Sequence, residues 1–193
     1  MKYSRNRASL VGPWKWWKQK RDLQIDFLKK QGLTPEKSLL DYGCGVLRGG
    51  VPLINFLEKG KYCGFEICEN RLKEARLELR DNDLESKEPV LVSDIEQVAT
   101  KFDFIWSYQV FIHISDHLLD VAISNIARLL KEDGACFISI NTSKKSGSWL
   151  EYPFVKKDVD FYSDAFKNYG LCVRPLKFSC KFLDSKMLRI NHL

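Results

Sequence analysis

A glycine-containing loop that directly follows a short apolar run is the strongest local signal in the sequence. Residues 39–50 read LLDYGCGVLRGG. This pattern predicts a strand that ends near the acid Asp41, turns at Gly43 and Gly45, and leads into a helix. Glycines at such a turn let the backbone bend sharply and let a ligand approach without meeting a Cβ atom. An acid in this place suits a ligand that carries a positive group, such as an ammonium.

A dinucleotide is the first alternative for such a loop, and the spacing argues against it. Dinucleotide sites use G-x-G-x-x-G, with the pyrophosphate at the helix N-terminus. Counted from Gly43, the third glycine would have to stand at position 48, which is Arg48. Asp41 would also lie beside the pyrophosphate, which is unfavourable. The sequence therefore disfavours NAD and FAD.

Two more acids follow later apolar runs. Glu66 stands near the end of the run 61–67, and Asp94 follows the run 89–93. Ligands of parallel α/β sheets bind beyond the carboxyl ends of the strands, so these acids and Asp41 are candidates for one site. The alternatives are that Asp41 and Asp94 only cap turns and that Glu66 is an ordinary surface acid.

Short apolar runs alternate along the chain with longer segments of 3.6-residue periodicity. The predicted strands are 38–42, 61–67, 89–93, 102–107, 135–141, about 171–180 and 186–192. The predicted helices are 18–31, about 48–58, 69–82, 115–131 and 158–169, and Asp133-Gly134 is predicted to be a turn. This alternation indicates an α/β domain with a mostly parallel sheet covered on both faces.

Together, these elements resemble the class I S-adenosylmethionine-dependent methyltransferases, closely over residues 38–141. Strand five of that family follows a turn of the type LLxxDG, which residues 129–134 match. The resemblance implies a Rossmann-like, seven-stranded, mostly parallel sheet with helices on both faces. It also implies a closing antiparallel hairpin, which agrees with the helix–strand–strand pattern of the C-terminal tail.

The resemblance further implies that the cofactor is S-adenosylmethionine and assigns its contacts. The loop residues would hold the methionine end, Glu66 the ribose hydroxyls, Ile67 the adenine ring and Asp94 the adenine amino group. The strand-four end would face the methyl group. The implied cofactor-binding residues are Asp41, Gly43, Cys44, Gly45, Arg48, Glu66, Ile67, Asp94, Ile95 and Ser107.

Two charged or titratable residues invite chemical roles of their own. Arg48 stands at the predicted start of a helix, where its charge opposes the helix dipole, and it is a candidate partner for a carboxylate of cofactor or substrate. His113 follows strand four and is a candidate general base, with a packed, structural histidine as the alternative. His113 and His117 have the i, i+4 spacing of metal ligands, but no third ligand lies near in sequence, so no metal is expected.

The charge of the chain is unevenly distributed. The 193 residues carry 31 basic and 25 acidic groups, a net charge of +6. Residues 1–21 hold seven basic groups and no acid, so the rest, with 24 basic and 25 acidic groups, is close to neutral. We expect a single domain, 1–193, made of this tryptophan-bearing arm (1–21) and an α/β body (22–193). The arm is expected to be a lid over the cofactor site or a cover of the core, a contact for nucleic acid or an anionic substrate, or a solvated extension.

Six cysteines without a C-x-x-C pair favour reduced thiols and a cytoplasmic location. No apolar run is long enough to span a bilayer, and none resembles a secretory signal, so no membrane association is expected.

The expected activity is methyl transfer to an O or N atom of a small molecule, and the lysines after strand five make an anionic acceptor one option. One alternative is a non-catalytic S-adenosylmethionine-binding scaffold. Another is an RNA or other nucleic-acid methyltransferase that uses the basic arm. The tetrapeptide Ser107-Tyr108-Gln109-Val110 differs from the N-P-P-Y type found in enzymes that methylate base amines. The sequence leaves the oligomeric state open.

Overall fold

The computed structural model describes residues 5–142, 147–149, 152–178 and 185–193. The first residues of the predicted arm, 1–4, and Cys180 lie outside the described residues. The chain divides into two units, Met1–Val98 and Ala99–Leu193. No described helix is long and apolar enough to cross a membrane.

The described part of the first unit pairs three strands in parallel, in the order β3-β2-β1. The strands are β1 (Leu39–Tyr42), β2 (Tyr62–Phe65) and β3 (Val90–Val92). The helices are α1 (Arg5–Ser9), α2 (Trp17–Lys30), α3 (Gly50–Phe56) and α4 (Glu69–Asp81), with 3-10 turns at Trp14–Trp16, Glu85–Lys87 and Ile95–Gln97. Every residue of β1 and β2 is buried, as the continuous apolar runs of a covered parallel sheet predict.

The second unit holds the remaining strands that the structure describes. They are β4 (Phe102–Ser107), β5 (Leu130–Asn141), the short hairpin β6 (Ser148–Trp149) and β7 (Tyr152–Pro153), β8 (Leu171–Leu176) and β9 (Ser185–His192). The helices are α5 (Asp116–Leu129) and α6 (Val159–Lys167). Strand β5 pairs in parallel with β4 and antiparallel with β9, which pairs antiparallel with β8.

Seven of these strands make up a mixed, mostly parallel sheet that ends in the antiparallel pair β8–β9. The predicted fold class is therefore confirmed. Most predicted elements begin and end within one to three residues of the observed ones, because amphipathic periodicity and turn residues delimit them locally.

The predicted turn at Asp133-Gly134 is wrong, because β5 runs through it. In place of a turn, β5 has a bulge at this point, seen as a shift in its pairing register with β4. Leu130 pairs with Phe102, whereas Ala135 pairs with Phe104, so five steps along β5 oppose two along β4 (135 − 130 and 104 − 102). A Cβ at Gly134 would lie 2.9 Å from the Lys131 carbonyl oxygen, so the bulge depends on glycine there.

Candidate functional site

The glycine loop is tied to the end of β2 by its own backbone. The amides of Gly43 and Cys44 both donate to the carbonyl oxygen of Phe65, at 2.7 and 2.9 Å. Gly43 and Gly45 adopt φ values of +88° and +58°, in the left-handed region that favours glycine. The loop therefore takes the sharp turn that the sequence predicts, directly after β1.

Glu66 is buried at the end of β2, with 5% of its surface exposed. Its Oε2 accepts a hydrogen bond from the amide of Gly45 at 3.1 Å, and its Oε1 accepts one from the amide of Cys68 at 2.9 Å. The Arg71 guanidinium lies 3.8 Å from Oε1. Each carboxylate oxygen has a second lone pair, so this fixed acid can accept two more hydrogen bonds from a ligand such as a vicinal diol.

Asp41 lies buried in β1, and its Oδ2 accepts a hydrogen bond of 2.7 Å from the Tyr62 hydroxyl. Burial raises the pKa of Asp41 to about 7, and the negative charge of Glu66 acts in the same direction. The Tyr62 hydrogen bond and the positive charge of Arg48 act against that rise in the pKa without cancelling it. A positively charged ligand group beside Asp41 would stabilise the ionised carboxylate and so bind favourably there.

Arg48 lies just before α3 and is largely buried. Its Nη1 donates to the carbonyl oxygen of Val11 in the N-terminal arm, at 2.8 Å. The neighbouring Cys44 is buried too, and burial raises the pKa of its thiol well above the ordinary value. Cys44 is thus a neutral packing residue of the loop, whereas Arg48 brings a positive charge close to Asp41.

The predicted adenine contacts differ in exposure. Ile67 directly follows Glu66 and has 71% of its surface exposed, which is unusual for a large apolar side chain and leaves it free to pack on a planar ring. Asp94 is exposed, and its side chain accepts a hydrogen bond from the Glu96 amide at 3.0 Å, so it caps the 3-10 turn that begins at Ile95. Ile95 itself is buried.

Two predicted site residues belong to the second unit. Ser107 is the last residue of β4 and is fully buried. His113 lies between β4 and α5, where its ring stacks on Phe154 at 5.1 Å between centroids and meets Tyr152 edge-on. Its Nδ1 lies 3.2 Å from the carbonyl oxygen of Pro153. The short β6–β7 hairpin, which the sequence reading missed, thus holds this histidine in one orientation.

Among the described residues, no three His, Cys, Asp or Glu side chains come together as a metal site would require. Sequence reasoning missed two residues at the candidate site: Tyr62, which donates a hydrogen bond to Asp41, and Val11, which packs on the glycine loop. It also missed Arg7, which ties the arm to α4. Tyr62 reaches Asp41 through the strand register of the folded chain, since Leu39 pairs with Tyr62 and Asp41 lies on the same face of β1 two residues later. No pattern in the neighbouring sequence points to Val11 or Arg7.

A buried acid in β1, a glycine loop and a second acid after β2, at the carboxyl ends of parallel strands, define the class I S-adenosylmethionine-dependent methyltransferases. The model of a family described as a methyltransferase domain matches residues 16–174. The chain belongs to this family. The predicted protein class and S-adenosylmethionine as its cofactor are thereby confirmed.

Solved structures have similar folds at low sequence identity. The magnesium protoporphyrin IX methyltransferase from Synechocystis PCC 6803 with bound S-adenosylhomocysteine superposes with a TM-score of 0.72 and 18% identity, over 100% of this chain and 90% of that one. An S-adenosylmethionine-dependent methyltransferase from Clostridium acetobutylicum ATCC 824 gives a TM-score of 0.69 and 16% identity, over 94% and 93% of the two chains. These likenesses show the fold.

A curated relative, an uncharacterised protein from Rickettsia prowazekii (strain Madrid E), is 25% identical over 165 residues. The match covers 81% of this chain and 64% of the relative, so the chain spans less than two thirds of that protein's length.

Proposed function

We propose that this protein transfers the methyl group of S-adenosylmethionine to an O or N atom of a small-molecule acceptor. The observation that carries the proposal is the joined arrangement of Asp41, Gly45 and Glu66. Two buried acids and a glycine turn are joined before any ligand arrives, by the pairing of β1 with β2 and by backbone amides of the loop that donate to Phe65 and Glu66.

The residues fit the parts of the cofactor. Asp41 would pair with the ammonium group, and that pairing would draw its pKa down from about 7. Glu66 would accept the ribose hydroxyls on its remaining lone pairs, while Ile67 would pack on the adenine ring and Asp94 would accept from the adenine amino group. Arg48 supplies the positive charge for the cofactor carboxylate.

When bound, the cofactor supplies a sulfonium methyl group that is already activated for transfer. The protein's task is then to orient the acceptor and exclude water. A base is needed only for an acceptor that is protonated at neutral pH.

His113 is the base that we propose. A carbonyl oxygen can only accept a hydrogen bond, so the contact with Pro153 requires the proton of a neutral imidazole to reside on Nδ1. The acceptor's proton would then pass to Nε2, the ring nitrogen that carries no proton in this tautomer. Stacking on Phe154 fixes the plane of the imidazole ring.

A small-molecule acceptor is supported by the neighbours' own substrates. Their names include magnesium protoporphyrin IX, a glycopeptide and, for a mitomycin 7-O-methyltransferase with a TM-score of 0.67 and 15% identity, mitomycin. The nucleic-acid alternative loses support because part of the arm's charge is used inside the protein. Arg7 bonds acids of α4, and Lys20 is buried.

Isothermal titration with S-adenosylmethionine and with S-adenosylhomocysteine tests the cofactor assignment, and we expect micromolar binding of both. Absence of binding at about millimolar ligand, a binding free energy weaker than about −4 kcal/mol, would refute it. A screen of hydroxyl and amine acceptors then separates an enzyme from a scaffold. Cofactor binding without transfer to any of them would favour the scaffold.

A further inference from the structure

We propose that residues 5–17, here called the strap, gate the cofactor site and that Arg7 is the latch that keeps the strap closed. The strap consists of α1, the connecting residues 10–13, the 3-10 turn Trp14–Trp16 and the first residue of α2. The inference rests on the proposed function, because it concerns entry to and exit from the same site.

The strap crosses directly over the glycine loop. A Cβ at Gly45 would lie 2.8 Å from Cγ1 of Val11 and 4.0 Å from Oε2 of Glu66, so the valine methyl group covers the open face of the glycine beside the ribose acid. The Val11 carbonyl oxygen accepts the bond from Arg48. A ligand that approaches the backbone of Gly45 would therefore have to displace Val11 of the strap.

One end of the strap is fixed by apolar packing. Trp17 is buried against Val46 of the glycine loop, with Leu10 and Val11 packed on the same cluster. Trp14 stacks on Trp17 with 6.1 Å between the ring centroids. Between these contacts, Gly12 has a φ of +136°, a backbone conformation that L side chains rarely adopt, which makes it a natural pivot.

The other end is fixed by charge. Nε of Arg7 lies 2.9 Å from Oε2 of Glu74, and its Nη1 lies 3.2 Å from Oε1 of Glu78 and 2.5 Å from Oδ2 of Asp81. All three acids belong to α4. Glu78 is only 1% exposed, so its carboxylate depends on bonded partners, while Asp81 is 46% exposed and open to screening.

The contacts at the two ends of the strap respond differently to salt. The tryptophan packing is non-directional and insensitive to salt, whereas a guanidinium shared by three carboxylates, one of them exposed, weakens as ionic strength rises. Opening the Arg7 end would lift Val11 from Gly45, separating Leu10 and Val11 from the Trp17–Val46 cluster and breaking the bond from Arg48, while Trp17 itself stays in place. The structure thus contains a strap with a firm hinge side and a releasable latch side.

The test is stopped-flow binding of S-adenosylhomocysteine to the full chain, followed by the fluorescence of the strap tryptophans. In Arg7→Gln we expect the association and dissociation rates both to rise about tenfold, since charge-assisted hydrogen bonds hold the closed state. Raising the salt concentration from about 0.05 to about 0.5 M should accelerate the wild type and leave the variant unchanged.

Two further variants make the result specific. Asp81→Asn weakens the latch from the α4 side at a half-exposed position, so it keeps the test valid if Arg7→Gln folds poorly, and it should accelerate both rates in the same direction. Lys18→Gln removes the same charge from an exposed position of α2 outside the latch, and its rates should match the wild type.

Rates within about twofold of the wild type in both latch variants would overturn the gate. So would an acceleration in Lys18→Gln as large as in Arg7→Gln, because the effect would then be one of net charge. Failure of the wild type to bind S-adenosylhomocysteine at all would instead refute the proposed function. Hydrogen exchange of the ligand-free protein gives an independent readout, and faster exchange in residues 5–16 of Arg7→Gln is expected.

Discussion

Glu66→Gln is the most informative single substitution in the candidate cofactor site. Glutamine has nearly the shape of glutamate, so the buried position at the end of β2 gains no cavity. What changes is the acceptor capacity, because a carboxylate offers two acceptor oxygens and a glutamine side chain offers one.

The hydrogen bonds of Glu66 allow the effect of Glu66→Gln on stability and on cofactor affinity to be estimated. Both oxygens of Glu66 already accept backbone amides, from Gly45 and Cys68, so the glutamine NH2 group must face one of these donors. That leaves a buried donor unsatisfied, at a cost of about 1–3 kcal/mol in the free energy of unfolding. Two ribose hydroxyls would also lose a charged acceptor. At about 1.5–2 kcal/mol for each lost charge-assisted bond, the Kd for cofactor should rise roughly 100- to 1000-fold.

Isothermal titration with S-adenosylhomocysteine measures the affinity, and thermal denaturation of the same samples measures the loss of stability. The matched control is Glu69→Gln, three residues further along at the exposed start of α4. It makes the same chemical change without a buried partner, so its affinity and melting temperature should stay at wild-type values.

An affinity of Glu66→Gln within about threefold of the wild type, in a folded protein, would refute the reasoning. Glu66 would then be a structural acid that only ties the glycine loop to β2. An equal loss of affinity in Glu69→Gln would also contradict it, because the effect would then follow the charge of the region.

Two further substitutions test the packing and electrostatics around the loop. The pKa of Asp41 is raised above its unfolded value, so folding favours its protonated form, and its contribution to stability is lost as the pH rises through about 7. Urea unfolding of wild type between about pH 4 and pH 7 should therefore show a loss from this group of up to about 1.4 kcal/mol per pH unit that Asp41→Asn lacks, and parallel pH profiles would contradict this. In Gly64→Ala the added methyl group would lie 2.8 Å from Cδ2 of Leu91 and 2.9 Å from Sγ of Cys44, so we expect about 1–3 kcal/mol of destabilisation. An unchanged melting temperature would show that the loop yields without strain.

Much of the fold was predictable because its signals are local. The helix predicted over 69–82 is observed as Glu69–Asp81, and the strand predicted over 102–107 is observed as Phe102–Ser107. The periodicity of apolar residues and the residues that start and stop helices are properties of neighbouring positions. The strand ends that carry Asp41 and Glu66 followed from the same reasoning.

Features that depend on strand register were not predictable in this way. The Asp133-Gly134 pair has the composition of a turn, yet it lies in a strand because pairing with β4 continues on both sides of the bulge. Tyr62 is separated from Asp41 by 21 positions and becomes its hydrogen-bond donor only when β1 and β2 align. Register depends on side chains from distant parts of the chain, so a local pattern carries little information about it.

The basic arm shows most clearly the difference between what the local sequence predicts and what depends on distant contacts. Its charge and its tryptophans were visible as composition, and they left three open alternatives: a lid or core cover, a contact for nucleic acid or an anionic substrate, and a solvated extension. Residue types and spacings specified strands, helices, the glycine turn and the two acids, because each depends on a few adjacent positions. The path of the arm, with Val11 on Gly45 and Arg7 on three acids of α4, depends on contacts between residues up to 74 positions apart. Only the folded chain brings such groups together, since the entropy of closing so long a loop is offset by burial and ion pairing in the whole unit.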